Sequence, residues 1–334
     1  MTVQPGALDV RTAFARLLDP RAPEDFGALS GEPLLVVALD GDPGCTAVPP
    51  ALAQLAAPSV ALVRDPMAPA AQRFAAHFDV VVATESELRC VDTAVRARPI
   101  ASGVLAQLLR FGDARTTEAG LVAESLAYSA LQAGGEFHAW LAARTAPTAP
   151  RAASEPPLLV RRDGASLHLT FDRASRRNAY SAALRDALVE ALQLAVRDDS
   201  ITRVILDGAG PAFCAGGDLD EFGSAPDPAI AHAIRTTRSA ARLLAALRAR
   251  VEVRLHGACV GAGIELAAFA GRVVAREDAW FALPEVAMGL VPGAGGTVSL
   301  PRRIGRQRTA WLALGGARLD AATALRWKLI DAIT

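Results

Sequence analysis

The sequence predicts an α/β fold in two parts, and three observations support this. Short apolar runs alternate with longer stretches whose apolar residues recur at helical spacing. Hydrophobic residues make up 51% of the 334 residues, which is enough apolar material for a large core. A segment rich in Pro, Ala and Thr, residues 145–157 (TAPTAPRAASEPP), separates two patterned regions.

This segment sets the predicted domain boundaries. Residues 1–145 are expected to form an N-terminal α/β domain, residues 146–156 a linker, and residues 157–334 a second domain. The alternative is that the Pro-rich segment is a long surface loop inside one domain.

The N-terminal region carries three buried-strand patterns and three helical ones. The predicted strands are Pro33–Leu39, Ser59–Val63 and Asp79–Ala83, and the predicted helices cover 68–78, 97–110 and 115–144.

The C-terminal region opens with a β-hairpin pattern and continues as alternating helices and strands. The hairpin is Pro157–Val160 with Ser166–Phe171; the further strands are Arg203–Leu206, Val251–Leu255 and Arg272–Ala275; the helices are Asn178–Val196, Ala229–Ala249 and Ile264–Gly271.

Charge and cysteine usage limit the class of protein. The 35 basic and 35 acidic residues balance, so no electrostatic argument favours nucleic acid or an anionic membrane. The four cysteines form no CxxC pair, no metal-binding cluster is visible, and no apolar run is long enough for a membrane span. The first residues lack a signal-peptide pattern. We therefore expect a cytoplasmic protein with reduced thiols and no metal.

Three glycine-containing segments follow one another in the C-terminal half. They are residues 213–219 (FCAGGDL), 256–267 (HGACVGAGIELA) and 281–297 (FALPEVAMGLVPGAGGT). Together and at these spacings they resemble the enoyl-CoA hydratase/isomerase (crotonase) family, from about Pro157 to Thr334. The resemblance implies a spiral of ββα units and assembly into trimers or hexamers. The chain is shorter at its C-terminus than family members usually are.

The resemblance implies an oxyanion hole made by two backbone amides. In the family, these amides stabilise the negative charge that develops on a thioester oxygen, an effect worth several kcal/mol in a dry site. The matching positions are Gly217 and Ala262. Ala262 is a departure, because the family usually has Gly there.

The resemblance also implies a pair of catalytic glutamates at Glu265 and Glu285. In hydratases of the family, one glutamate activates water and the other supplies the proton at Cα, and such help is worth roughly 100- to 10,000-fold. Because isomerases typically keep only the Glu285 equivalent, the pair favours an enoyl-CoA hydratase-like lyase. The alternative for either glutamate alone is a surface carboxylate or a helix cap.

Coenzyme A is the implied substrate carrier, with no prosthetic group. Residues 176–179 (RRNA) resemble the family's first nucleotide-contacting turn, so Arg176, Arg177 and Ala179 are candidate contacts, together with Ala215 and Gly216. The alternative for the two arginines is a solvated charge pair before a helix. An acyl carrier protein is an alternative partner.

The N-terminal half resembles a degenerate copy of the C-terminal half. A constant offset of 192 residues places Arg64 on His256 and residues 81–83 (VVA) on residues 273–275 (VVA). The copy would lack the chemistry, since Arg73 falls on Glu265 and Thr93 on Glu285. Chance in an Ala- and Val-rich chain is the alternative.

Three functional hypotheses follow. The first is hydration of a 2-enoyl-CoA or dehydration of a 3-hydroxyacyl-CoA. The second keeps the oxyanion hole but performs isomerisation, thioester hydrolysis, decarboxylation or carbon–carbon cleavage, because a fold does not fix a reaction. The third is a non-catalytic subunit that binds a partner enzyme.

Overall fold

The structure is a computed structural model that describes residues 6–29, 31–40, 44, 46–112, 115–144, 156–225 and 227–334. From the N-terminus to the predicted linker, the elements are β1 (Leu8–Asp9), α1 (Val10–Leu17), α2 (Ala22–Asp25), β2 (Leu35–Ala38), α3 (Ala51–Gln54), β3 (Ser59–Leu62), α4 (Pro69–Phe74), β4 (Val80–Val82), α5 (Glu85–Ala97), α6 (Pro99–Gly112), α7 (Thr117–Gln132) and α8 (Gly135–Ala142). After it come β5 (Leu158–Asp163), β6 (Ser166–Phe171), α9 (Ala182–Arg197), β7 (Arg203–Gly208), α10 (Pro228–Thr237), α11 (Ala240–Ala246), β8 (Val251–Leu255), β9 (Ala258–Val260), α12 (Ala262–Ala267), β10 (Arg272–Ala275), β11 (Trp280–Ala282), α13 (Gly296–Ile304), α14 (Arg306–Gly315), β12 (Leu319–Asp320), α15 (Ala321–Trp327) and β13 (Ala332–Ile333).

The chain divides into two compact units. The first comprises residues up to Ala114 together with Gly305–Gly316, and the second comprises Arg115–Ile304 with Ala317–Thr334. This division differs from the predicted boundary at residue 145, because helices α7 and α8 belong to the second unit. The predicted linker, residues 146–156, lies outside the described residues except for Pro156.

The first unit contains a parallel sheet in the order β1-β2-β3-β4. Strands of a parallel sheet are covered on both faces, which explains why β2 and β3 are almost uninterrupted apolar runs. A core that includes Phe14, Phe26 and Phe74 packs beside them. The three strands predicted from the N-terminal pattern are all present, and helix α5 is an addition to the prediction.

A buried carboxylate ties Gly305–Gly316 to the first unit. Asp79 is almost fully buried and forms ion pairs with Arg110 at 2.6 Å and with Arg306 of α14 at 2.9 Å. The Gln307 side chain donates to the carbonyls of Ala75 and Phe78. A buried charge needs such partners, so this cluster fixes α14 against the strand edge.

The strand register agrees with part of the proposed internal duplication. The offset of 192 residues carries the β3–β4 pairs onto the β8–β10 pairs, for example Val60–Val80 onto Glu252–Arg272. The agreement ends after β4, where α5 begins in the first unit. The duplication therefore remains a hypothesis, supported for the segment from β3 to β4.

The second unit contains two sheets. The larger has the order β13-β10-β8-β7-β6-β5 and is parallel except for the β5–β6 hairpin, and the smaller has the order β12-β11-β9. The predicted hairpin and the three predicted strands of this region occupy the larger sheet. Its central residues, such as Leu206 and Val253, are fully buried.

Helix α7 belongs to the second unit because its buried face packs against α10, α11 and α13. Gly120 permits this approach, since a Cβ atom there would lie 2.9 Å from a methyl group of Val298. The Ser129 hydroxyl donates to the carbonyl of Pro228 at 2.7 Å. The structural division therefore differs from the predicted boundary, because α7 packs against α10, α11 and α13.

Two predicted helices are each interrupted. The predicted helix 229–249 is α10 followed by α11, and the break lies at Ser239, whose hydroxyl accepts a hydrogen bond from the amide of Arg242. The predicted helix 115–144 is α7 followed by α8, and Gly134 in extended conformation separates them. Ser and Gly favour helix starts, which explains both breaks.

Candidate functional site

A cavity of about 420 Å³ opens in the second unit. Its wall is built from the turns that follow two strands, from α7 and α10, and from the segment that leads into α13. Four residues predicted as catalytic line it: Gly217, Ala262, Glu265 and Glu285. The sequence prediction thus names four residues that the fold brings to one cavity.

Strand-like pairing places Gly217 and Ala262 on neighbouring turns. Cys214 donates its amide to the carbonyl of Ala258 at 3.1 Å, and Val260 donates to the carbonyl of Cys214 at 3.0 Å. In the described part of the chain, neither the Gly217 amide nor the Ala262 amide donates a hydrogen bond to a protein atom. Both amides are therefore available to an oxygen atom bound in the cavity.

Glycine is required immediately before Ala262. Gly261 has a φ of +49°, and a Cβ atom there would lie 2.3 Å from Oε1 of Glu285 and 3.8 Å from Oε1 of Glu265. Because both distances start from one point, the two carboxylate oxygens are at most about 6 Å apart. The two carboxylates therefore face the same space beside Gly261.

Glu265 lies in the first turns of α12 and is 1% exposed. Its Oε2 accepts hydrogen bonds from the amides of Ala294 at 2.8 Å and Gly296 at 2.9 Å. Burial raises the pKa of Glu265 to about 7, while the amides of this segment act to lower it. The carboxyl group is thus poised to exchange a proton near neutral pH.

Glu285 opens the short 3₁₀ helix Glu285–Met288 and is 9% exposed. Its Oε2 is buried and has no hydrogen-bond partner among the described residues. Burial, followed by the charge of Glu265, raises the pKa of Glu285 well above its usual range. Burial and the neighbouring carboxylate thus favour the neutral form of Glu285.

A third buried glutamate, Glu124 of α7, was not predicted from the sequence. It is 2% exposed and accepts hydrogen bonds from the amide of Gly295 at 2.7 Å and from the amide and hydroxyl of Thr297 at 2.8 and 2.6 Å. Burial and the charge of Glu265 raise the pKa of Glu124 to about 8. No local signal marks this residue, because its partners are 171 and 173 positions away.

Helices α7 and α10 form a polar part of the cavity wall. The Arg235 guanidinium lies 4.7 Å from the centre of the Tyr128 ring and donates to Ser125 and Gln132. Burial lowers the pKa of Arg235 and raises that of Tyr128. These contacts connect the two helices beside the carboxylates.

The five predicted coenzyme A contacts do not line this cavity. Arg176 forms ion pairs with Asp218 and Asp220, and Arg177 has a left-handed backbone (φ +50°) whose carbonyl accepts from the amide of Ala215. The carbonyls of Ala179 and Gly216 accept from the side chain of Arg173 and the amide of Tyr180, respectively. These residues hold the turns next to the cavity, and their contact with coenzyme A stays a prediction.

Two further features concern metals and membranes. Within the described ranges, no three His, Cys, Asp or Glu side chains are grouped to hold a metal ion. None of the described helices has the length and apolar character that crossing a bilayer requires.

Comparison with known proteins now identifies the family. Residues 162–334 match the family model for enoyl-CoA hydratase/isomerase. The protein belongs to this family, and its C-terminal half has the crotonase fold. Two solved structures are similar at a TM-score of 0.50: an enoyl-CoA hydratase from Thermoplasma volcanium GSS1 (29% identity, 54% of this chain and 72% of that one) and one from Mycobacterium smegmatis (33%, 54% and 70%).

Curated relatives carry different activities. The chain is 38% identical over 167 residues to 1,2-epoxyphenylacetyl-CoA isomerase of Escherichia coli K12, covering 48% of this chain and 63% of the relative. It is 36% identical over 176 residues to 2,3-dehydroadipyl-CoA hydratase of the same organism, covering 52% and 68%. The match thus spans about two thirds of each relative's length and about half of this chain.

Proposed function

We propose that the protein adds water to the double bond of a 2-enoyl-CoA, or removes water from a 3-hydroxyacyl-CoA. The observation that carries this proposal is the pair Glu265 and Glu285, which line the same cavity as two unpartnered amides. One oxygen of each carboxyl group lies within 4 Å of the position that a Cβ atom of Gly261 would take, so both face the same space.

In the proposed reaction, the thioester oxygen accepts hydrogen bonds from the amides of Gly217 and Ala262. Glu265 takes a proton from the bound water, whose oxygen attacks Cβ of the enoyl group. The electron pair moves onto the thioester oxygen, and Glu285 then delivers its proton to Cα. Donors fixed where charge develops stabilise such an intermediate without reorganisation.

The hydrogen-bond partners of the two carboxyl groups fit these roles. Two backbone amides support the charge of Glu265, whereas Oε2 of Glu285 has no such donor among the described residues. We therefore assign the proton of the pair to Glu285 and the role of the base to Glu265. Environments that push two carboxyl pKa values apart are the usual basis of acid and base assignments.

Double-bond isomerisation is the second candidate. A carboxyl group with a raised pKa, such as Glu285, can also move a proton between two carbons of an enolate. A relative that is 35% identical over 173 residues, an enoyl-CoA isomerase/hydratase of Mycosarcoma maydis, adds support for this alternative.

A panel of enoyl-CoA thioesters followed by mass spectrometry separates these reactions. Hydration adds the mass of one water molecule, isomerisation leaves the mass unchanged, and hydrolysis releases free coenzyme A. Glu265→Gln and Glu285→Gln are each expected to lower kcat by roughly 100- to 10,000-fold while the circular dichroism spectrum is retained. The matched control is Glu190→Gln, an exposed carboxylate on α9.

Two results would contradict the proposal. One is the absence of a water adduct with every enoyl-CoA in the panel. The other is full hydratase activity in both glutamine variants, since the reaction would then need neither carboxylate.

A further inference from the structure

One backbone segment, residues 294–297, connects two buried carboxylates. The amides of Ala294 and Gly296 donate to Glu265, and the amides of Gly295 and Thr297 donate to Glu124. Residues 294 and 295 form a bend, with Gly295 at a φ of +105°, and residues 296 and 297 begin α13. In this turn into the helix, the four amides alternate between the two carboxylates. The position of the two amides that donate to Glu265 therefore depends on the hydrogen bonds that the other two amides make to Glu124.

Glu124 is itself fixed by the packing of α7. Next to it, Tyr128 contacts the backbone of Gly293, where a Cβ atom would lie 2.5 Å from the ring. One turn earlier, Gly120 allows close contact with Val298 of α13. Contacts one turn before and one turn after Glu124 thus hold its carboxylate at hydrogen-bonding distance from residues 294–297.

All three groups bound to Glu124 can donate hydrogen bonds: two are backbone amides and one is the Thr297 hydroxyl. Above its pKa of about 8, the Glu124 carboxylate can only accept, so it then satisfies all three donors at once. A side chain that both donates and accepts, such as glutamine, cannot.

We infer that Glu124 is a positioning residue for Glu265. It holds segment 294–297 in place, and the segment in turn holds the proposed base through its alternate amides. This inference rests on the proposed function only for its effect on turnover, because the hydrogen-bonded arrangement exists without substrate. Glu124 lies outside the residues that match the family model.

The inference predicts the sign of a pKa change at Glu265. Glu124 has a pKa of about 8, above that of Glu265, and so carries its full charge only at higher pH. Where it is charged, removal of that charge by itself lowers the Glu265 pKa. Displacement of the Ala294 and Gly296 amides removes hydrogen-bond donors to the ionised form of Glu265, so loss of positioning raises the Glu265 pKa. The other titratable or charged groups around Glu265 are Glu285, Tyr128, Tyr180, Cys214 and, beyond Tyr128, Arg235.

The test uses two variants of the full chain. Glu124→Gln removes the charge and places an NH₂ group against an amide donor, whereas Glu124→Asp keeps the charge but withdraws it by one methylene group. We expect kcat to fall roughly 10- to 100-fold in both, with a smaller change in KM, because a displacement of about 1 Å at a catalytic group costs this much. The acidic limb of the kcat profile should move to higher pH in both.

Infrared spectroscopy of ¹³C-glutamate-labelled protein measures the same change without turnover. The carboxylate band of Glu265, assigned by its loss in Glu265→Gln, should titrate at higher pH in both Glu124 variants than in the wild type. Glu190→Gln is the control and should leave the band and kcat unchanged.

Several outcomes would overturn the inference. In one, Glu124→Asp leaves kcat and the Glu265 titration unchanged while Glu124→Gln moves the titration to lower pH, which would show that only charge matters. In another, both variants behave as the wild type. If Glu124→Gln does not fold, Glu124→Asp decides. A wild-type protein without enoyl-CoA turnover would contradict the proposed function, whereas the infrared titration would still test the positioning.

Discussion

Glu265, Glu285 and Glu124 are all buried, yet their oxygens meet different partners. Glu265 accepts hydrogen bonds from two backbone amides, and Glu124 accepts them from two amides and one hydroxyl. One oxygen of Glu285 has no hydrogen-bond partner among the described residues. Hydrogen bonds to the ionised form lower a carboxyl pKa, and burial raises it. The two amide donors therefore favour the ionised form of Glu265, and Oε2 of Glu285 lacks such a donor among the described residues. Glu124 has a pKa of about 8 despite its three donors, because burial and the charge of Glu265 raise it.

The pH dependence of turnover follows from these two residues. Hydration requires Glu265 ionised and Glu285 protonated, so kcat should rise with pH through the Glu265 pKa of about 7. It should fall again as Glu285, whose pKa burial raises well above its usual range, loses its proton. The measurement is kcat against pH with an enoyl-CoA substrate. Glu265→Gln should remove the acidic limb, and a flat profile in the wild type would contradict the assignment.

At this scale the sequence predicts some residues and misses others. Glu265 and Glu285 occur within glycine-rich segments whose spacing is recognisable along the chain. Glu124 lies in a helix with no such pattern, and only the packing of α7 brings it to Gly295 and Thr297. Residues whose role depends on long-range contacts leave no local trace in a single sequence.

Among the elements, the junction between β9 and α12 carries the strictest backbone requirement. Gly261 enters the helix with a positive φ, and its missing side chain leaves room for the Glu285 carboxylate. Ala262, the next residue, lies in ordinary helical geometry and lines the cavity. Ala262 therefore replaces the family's usual Gly at a position where the proposed function uses only the backbone amide.

Single substitutions at these two neighbouring positions should affect stability and kcat to different extents. Gly261→Ala forces an unfavourable φ, which costs about 1–3 kcal/mol, and places a methyl group on the Glu285 oxygen. We expect a lower melting temperature and a kcat reduced at least about 100-fold. Ala262→Gly, the matched control, should change stability by no more than about 1 kcal/mol. Equal melting temperatures and equal kcat for the two variants would refute this account of the junction.

The elements also show where periodicity is a good guide. Buried parallel strands such as β3 and β8 form short apolar runs and were predicted within one residue of their ends. Helix breaks at Gly134 and Ser239 were missed, because apolar spacing continues across them. The extended backbone at Gly134 and the side-chain cap of Ser239 separate these helices, and periodicity reports neither.

For the molecule as a whole, the segment that matches the family model does not coincide with the second structural unit. The match begins at residue 162, whereas the second unit begins at Arg115. Helix α7, which lies outside the matched residues, therefore adds part of the cavity wall and the buried carboxylate of Glu124. The predicted boundary at residue 145 was wrong for α7 and α8 because sequence composition, rather than contact, defined it.

Three buried carboxyl groups with raised pKa values should make stability depend on pH. A carboxyl group whose folded-state pKa exceeds its unfolded value of 4.5 binds more protons when folded, so stability falls as pH rises from about 4.5 through the folded pKa. We expect the melting temperature to decline from about pH 5 to about pH 8, by about 2–4 °C per kcal/mol. Glu265→Gln should flatten this decline. A melting temperature that rises over this range would contradict the directions assigned to these groups.

The alternation of amides between Glu265 and Glu124 has a consequence for local opening. Breaking any one of the four hydrogen bonds by moving residues 294–297 also disturbs a bond on the opposite carboxylate. Their amide hydrogens should therefore exchange with deuterium slowly and at one common rate, as a single cooperative unit. The segment would then report on both carboxylates at once, even in a protein without bound ligand.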